Sequence, residues 1–93
     1  MSDERVIMAA AIERYGEGVQ MVKCCEELAE LQQAICKLFD KSTGVQDIEA
    51  VVEEIADVEI MIEQLRVILR VDPEMETRWR ERKLRHLRAR LAR

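Results

Sequence analysis

The sequence has few of the residues that build turns and aromatic cores: three Gly, one Pro, one Trp, one Tyr and one Phe in 93 residues. So little turn chemistry excludes the many short strands of an all-β fold, and a collagen-like or low-complexity chain with it. Cys24, Cys25 and Cys36 are odd in number and show no C-x-x-C spacing, which argues against a disulfide framework or a zinc site and for small buried hydrophobes. One histidine, His86, leaves a di-iron bundle without the two Glu-x-x-His motifs it needs. No apolar run reaches the roughly 18 residues of a membrane span, and MSDERVIMAA lacks the basic start and long apolar core of a signal peptide. The expected setting is cytoplasmic, with no membrane partner.

What is present is helix-forming. Hydrophobic residues make up 48% and charged residues 37% of the chain, with Ala, Leu, Ile, Glu and Arg prominent, so the expected class is all-α in a single domain, 1–93. A chain of this size buries only about 60 to 65% of its unfolded surface, and association into a homodimer or homotetramer is the usual remedy. The net charge of -4 conceals a division. Residues 1–72 hold seven Lys and Arg against sixteen Asp and Glu, whereas residues 73–93 hold eight against three. The acidic body is net -9 and the tail net +5, which together return the -4 of the whole.

Periodicity predicts four helices. Val6, Ile7, Ala10 and Ala11 mark the first, from Asp3 to Tyr15, closed by Gly16 and Gly18. The second runs from Val19 to Phe39 with a packing face of Met21, Cys24, Leu28, Leu31, Ile35 and Leu38. After the turn DKSTG, the third folds back antiparallel from Gln46 to Arg70 and is expected to be the longest. One of its faces carries Ile48, Val51, Val52, Ile55, Val58, Ile62, Leu65 and Leu69, and a second carries Ala50, Met61 and Ile68, a width that suits contacts on two sides. Asp72 and Pro73 read as N-cap and first residue of a fourth helix reaching Ala92. The expected architecture is a hairpin of two long central helices with shorter terminal ones, completing a four-helix-bundle core by oligomerisation.

Acidic residues concentrate in KCCEELAELQQAICK and VVEEIADVEI. Glu27 and Glu30 on the second helix, and Glu54 and Asp57 on the third, each place two carboxylates on neighbouring turns, so each pair can share a cation. On the helical wheel Glu27 and Glu30 lie beside the packing face with Gln20, Lys23 and Ala34, whereas Glu26 points outward. Taken singly, E-x-x-E is common on solvated helix faces. Two such pairs on antiparallel helices, both beside the apolar seam, converge where repulsion is costly without a cation. Oxygen-only donors select Mg²⁺, with Mn²⁺ as the substitute.

The ordered blocks Glu26-Glu27-Leu28-Ala29-Glu30 and Glu54-Ile55-Ala56-Asp57, with 23 residues between, resemble the MazG-like all-α nucleoside triphosphate pyrophosphohydrolases. The resemblance extends over residues 15–70, through YGEGVQ, ELAELQQAICK and EEIADVEIMIEQL. It implies hydrolysis of a (deoxy)nucleoside triphosphate to the monophosphate and pyrophosphate in nucleotide-pool house-cleaning. Mg²⁺ would be held by Glu27, Glu30, Glu54 and Asp57, with Glu26 supporting from outside the ligand set or from a partner subunit. Gln20 and Lys23 lie on the metal face within reach of a phosphate. Relatives contact the triphosphate through a C-terminal Lys, then an Asn and an Arg; here Lys83 is followed by His86 and Arg88, so the Asn is missing.

The basic tail carries Arg78, Arg80, Arg82, Lys83, Arg85, Arg88 and Arg90 with Leu84, Leu87 and Leu91. It can line a phosphate site, bind nucleic acid, or pair with the acidic body of a neighbouring subunit; the last is favoured, and nucleic acid is disfavoured because no aromatic interleaving or helix-turn-helix pattern supports it. The rival to an enzyme is a non-enzymatic helical interaction module whose tail binds a protein partner or nucleic acid.

Overall fold

The computed structural model describes residues 3–40 and 47–93, and these form four helices: α1 (Asp3–Tyr15), α2 (Glu17–Leu38), α3 (Ile48–Ile68) and α4 (Pro73–Leu91). Helix α1 has the expected bounds. Helix α2 begins two residues early, because Gly16 alone makes the turn. Its φ of 93° lies in the left-handed region, and the chain is helical again at Glu17 with Gly18 inside the first turn. Gly16 N–H closes α1 on Ile12 O at 2.9 Å, while Gly16 O receives the N–H of Gln20 at 3.1 Å.

Helix α3 is shorter than expected, 21 residues against 22 in α2, so it is not the longest element. Asp47 is its N-cap, its carboxylate accepting from Ala50 N–H at 3.0 Å. The expected start at Gln46 and residues 41–44 of the DKSTG turn lie outside the described residues. At the far end the helix stops at Ile68, with Leu69 as C-cap and Arg70 at φ 51°. Helix α4 opens as its sequence predicts: Pro73 occupies the first turn and the Asp72 carboxylate accepts from Glu74 N–H at 3.0 Å.

Helices α2 and α3 pack as an antiparallel hairpin, and α1 lies against both. The register is visible in one buried contact, where Gln20 Nε2 donates to Gln64 Oε1 at 2.8 Å. Stepping up α2 from Gln20 while stepping down α3 from Gln64 brings Glu27 opposite Asp57 and Glu30 opposite Glu54.

The buried set is small and half polar. Cys24, Val58 and Met61 are its apolar members, and Gln20, Glu27 and Gln64 its polar ones. Cys24 fits the expectation of a buried cysteine, but Cys25 and Cys36 are exposed, so that expectation is corrected for two of the three. Much of the predicted seam is also uncovered. Leu28 and Ile35 of α2 and Ile48, Val52, Ile55 and Leu69 of α3 are all exposed. On the wheel, Leu28, Ile35, Val52 and Ile55 lie on the flank of the hairpin opposite Glu30 and Glu54. The hairpin therefore has one apolar face and one acidic face.

Helix α4 stands apart. Every residue from Pro73 to Arg93 except Glu76 is exposed, and among the described residues no other helix packs closely along α4. What fixes its root is Arg66, whose Nε and Nη2 each donate to a Glu76 carboxylate oxygen at 2.8 Å while Nη1 donates to Glu63. This fork holds the Glu76 carboxyl below the usual carboxylate range.

Replacing Gln64 by Leu leaves the buried Gln20 amide without its partner and is expected to lower stability by about 1 to 3 kcal/mol. The double change Gln20→Leu with Gln64→Leu should recover most of that loss, because two apolar groups then face each other. Urea unfolding of the parent, both single variants and the double variant measures the recovery.

Candidate metal centre

Helix spacing brings the acids together. Glu27 and Glu30 project from neighbouring turns of α2 and Glu54 from the facing turn of α3, so that one oxygen of each lies within 4.8 Å of the others. Glu27 is 7% exposed, Glu54 half-buried and Glu30 exposed, so the cluster runs from the seam outward to solvent. Glu30 and Glu54 open onto a groove of about 620 Å³, lined also by Gln33, Ala34, Lys37 and Ala50. The small side chains Ala34 and Ala50 leave that space beside the carboxylates.

Electrostatics at the cluster are unbalanced. Lys23 Nζ lies 3.3 Å from Glu27 Oε1, a helical i,i+4 ion pair that raises the Lys23 pKa through its hydrogen bond and charge. The other Glu27 oxygen, Oε2, and Glu54 Oε2 are buried without a hydrogen-bond partner. The Glu30 carboxyl is pushed up by its hydrogen bond to Glu27 and by that residue's charge. Glu54 is pushed up first by burial and then by Glu30, Asp57 and Glu27. Orphaned, partly dry carboxylate oxygens converging from two helices are donors that match a hard divalent cation, and no sulfur or imidazole stands among them.

Each predicted residue has a definite place. Glu27, Glu30 and Glu54 are brought together; Asp57 sits one turn from Glu54, half-buried, outside the three-way cluster but close enough to act on Glu54 by charge. Glu26 is exposed, as the wheel requires. Lys23 stands at the rim of the cluster. Gln20 does not: it is 8% exposed, and its amide nitrogen is committed to Gln64. Lys83 lies on α4 with its ammonium 5.8 Å from the centre of the Trp79 ring, a stack shared with Arg82 at 5.4 Å. Sequence reasoning missed Gln64, although it shares a stripe of α3 with Asp57 and Met61. It also missed Lys37, which flanks the groove from the turn after Gln33.

Comparison with known proteins adds no relative: no family model, curated protein or solved structure matches the chain. The reading of the site therefore rests on its own chemistry and on the motif resemblance.

The raised acids have a consequence for stability. Glu30 and Glu54 hold their protons more tightly in the folded protein than in the unfolded chain, so they favour folding while protonated, below the ordinary value of 4.5. That contribution is lost as pH rises through their raised folded values. Stability of the cation-free protein should therefore fall across this window. Glu54→Gln should remove part of the fall and raise the urea midpoint at neutral pH, and titrations at several pH values read both effects.

Proposed function

We propose that this protein is a nucleoside triphosphate pyrophosphohydrolase of the MazG-like all-α type. In this reading it cleaves a (deoxy)nucleoside triphosphate to the monophosphate and pyrophosphate in the cytoplasm, as nucleotide-pool house-cleaning. Its cation is Mg²⁺, with Mn²⁺ able to replace it. The observation that carries the reading is the pair of buried carboxylate oxygens, Glu27 Oε2 and Glu54 Oε2, left unpartnered in a cluster drawn from both acidic blocks. Leaving such groups uncompensated is costly, and a cation is the partner their geometry suits.

Glu27, Glu30 and Glu54 would hold the cation, with Asp57 completing the set from the next turn of α3. A Mg²⁺ ion held by these carboxylates would supply charge neutralisation of the polyphosphate and Lewis acidity toward the attacking water. Lys23 holds Glu27 in place through one oxygen while leaving the other free, and its ammonium, half exposed, is available to an incoming phosphate. Lys37 offers a second positive charge at the edge of the groove. Gln20 acts from beneath, keeping α2 and α3 in the register that opposes the acidic turns. The exposed flank of Leu28, Ile35, Val52 and Ile55 suits a homodimer built on paired hairpins, or a homotetramer that pairs again. No helix among the described residues is long and apolar enough to cross a membrane.

Pyrophosphate release over a nucleotide panel that includes deoxy and damaged bases tests the activity. Glu27→Gln and Glu54→Gln, each shown folded by circular dichroism, should lower turnover at least about a hundredfold, the upper end of what losing even an outer partner of a metal ligand costs. Added Mg²⁺ should raise the melting midpoint of the parent and not of Glu27→Gln, since binding to the native state alone stabilises it. Pyrophosphate release undiminished in folded Glu27→Gln and Glu54→Gln would overturn the site. Absence of both activity and any Mg²⁺ effect would leave the helical interaction module, with α4 as its binding element.

A further inference from the structure

Two uncovered apolar surfaces on this chain match each other. One is a groove of about 880 Å³ between α1 and α3, lined by Ile7, Met8, Ile60 and Ile62 together with three glutamates and two arginines. The other is α4, where Leu84, Leu87 and Leu91 are 52%, 42% and 78% exposed and fall on one stripe of the helix. Lys83 and Arg88 flank that stripe on either side. It continues the side of α4 that carries Glu76 and Arg80 against the body, beyond the point where the body ends.

The stripe does not reach the groove of its own chain. Arg66 grips Glu76 through two hydrogen bonds, which fixes the first turn of α4, and the helix then runs unbroken to Leu91. Dimensions and charge fit a second copy instead. Along α3 the groove extends from Ala56 to Arg66, about 15 Å, while Leu84 to Leu91 spans about 10 Å of helix. Basic flanks would meet Glu4 and Glu59 of the groove lining, and the net +5 segment would settle on a net -9 body. Nucleic acid or an anionic bilayer meets the opposite condition, because the same approach brings the acidic body toward a negative surface.

We propose that the C-terminal half of α4, Arg80 to Leu91, docks into the α1–α3 groove of a second copy of this chain, reciprocally. The arrangement is isologous, each subunit giving its arm and receiving the other's, and closes as a two-fold dimer. It is independent of the hydrolytic reading.

Engineered cross-linking tests it on the full chain. In a Cys25→Ser, Cys36→Ser background, Leu87→Cys chains are mixed with Ile7→Cys chains under mild oxidation, and solution mass is measured in parallel by light scattering. The expected result is a disulfide-linked species holding one chain of each kind, together with a halved mass for Leu84→Glu with Leu87→Glu. No mixed cross-link, or an unchanged mass for the double glutamate variant, overturns the proposal. So does a monomeric parent whose α4 instead binds a labelled oligonucleotide or phosphatidylserine vesicles.

Discussion

Carboxylates of Glu27, Glu30 and Glu54 approach one another across the seam between α2 and α3 at a distance where their mutual repulsion is only partly screened by water. A hairpin would not ordinarily adopt a register that opposes acids. Here the register is held from elsewhere on the same seam, by the buried Gln20–Gln64 amide pair and by Cys24, Val58 and Met61 packed between it and the acids. Slipping one helix by a turn would still oppose one acid of each helix, Glu27 to Glu54 or Glu30 to Asp57, and would also strand two buried amides. The Glu30 carboxyl is raised first by its hydrogen bond to Glu27 and then by that charge, and the Glu54 carboxyl first by burial and then by its acidic neighbours.

The modest core follows from the same seam. Among the described residues three of the six buried side chains are polar, and of the other hydrophobic residues some, such as Leu31, Val51 and Leu65, are half-buried while others lie on the outer flank or along α4. Helix α1 covers only part of that surface. With Leu28, Ile35, Val52 and Ile55 open on one face and Leu84, Leu87 and Leu91 open on the arm, the single chain has more apolar surface than it can bury. Small helical chains resolve this excess by association, because a second copy supplies the missing layer at no cost in sequence length.

The sequence carried the helices and their caps where a single residue type controls the outcome. Asp72-Pro73 specifies a helix start so strongly that nothing elsewhere in the chain competes with it, and α1 ended where Gly16 allowed it to. Boundaries were less legible at α3, whose start depends on the Asp47 carboxylate finding Ala50 N–H, a local bond that the apolar period does not encode. The acids Glu27, Glu30 and Glu54 were legible because spacing along a helix fixes which face a residue takes. Gln20 was misleading for the same reason: its face was correct, but the wheel is blind to Gln64, a partner more than forty positions away in sequence. Cys25 and Cys36 illustrate the opposite failure, since cysteine's usual preference for the interior says nothing about which side of a two-helix layer a given position occupies.

On the wheel the acidic cluster and the glutamates of the α1–α3 groove lie on opposite flanks of the hairpin, and this separation bears on how the two halves of the charge distribution act. A helix with its side chains is about 10 to 12 Å across, and the screening length at physiological ionic strength is about 8 Å. A cation at Glu27, Glu30 and Glu54 and an arm along Glu4, Glu59 and Glu63 would therefore sense each other weakly. Each would neutralise the acids nearest to it and leave the others unchanged. At low salt the screening length grows and the two become coupled, each relieving part of the same net -9 charge, so that filling one site lowers the attraction felt at the other. The division of the chain into an acidic body and a basic arm thus poses two separate neutralisation problems, one suited to a small hard ion in a crevice and one to a cationic helix on an open groove.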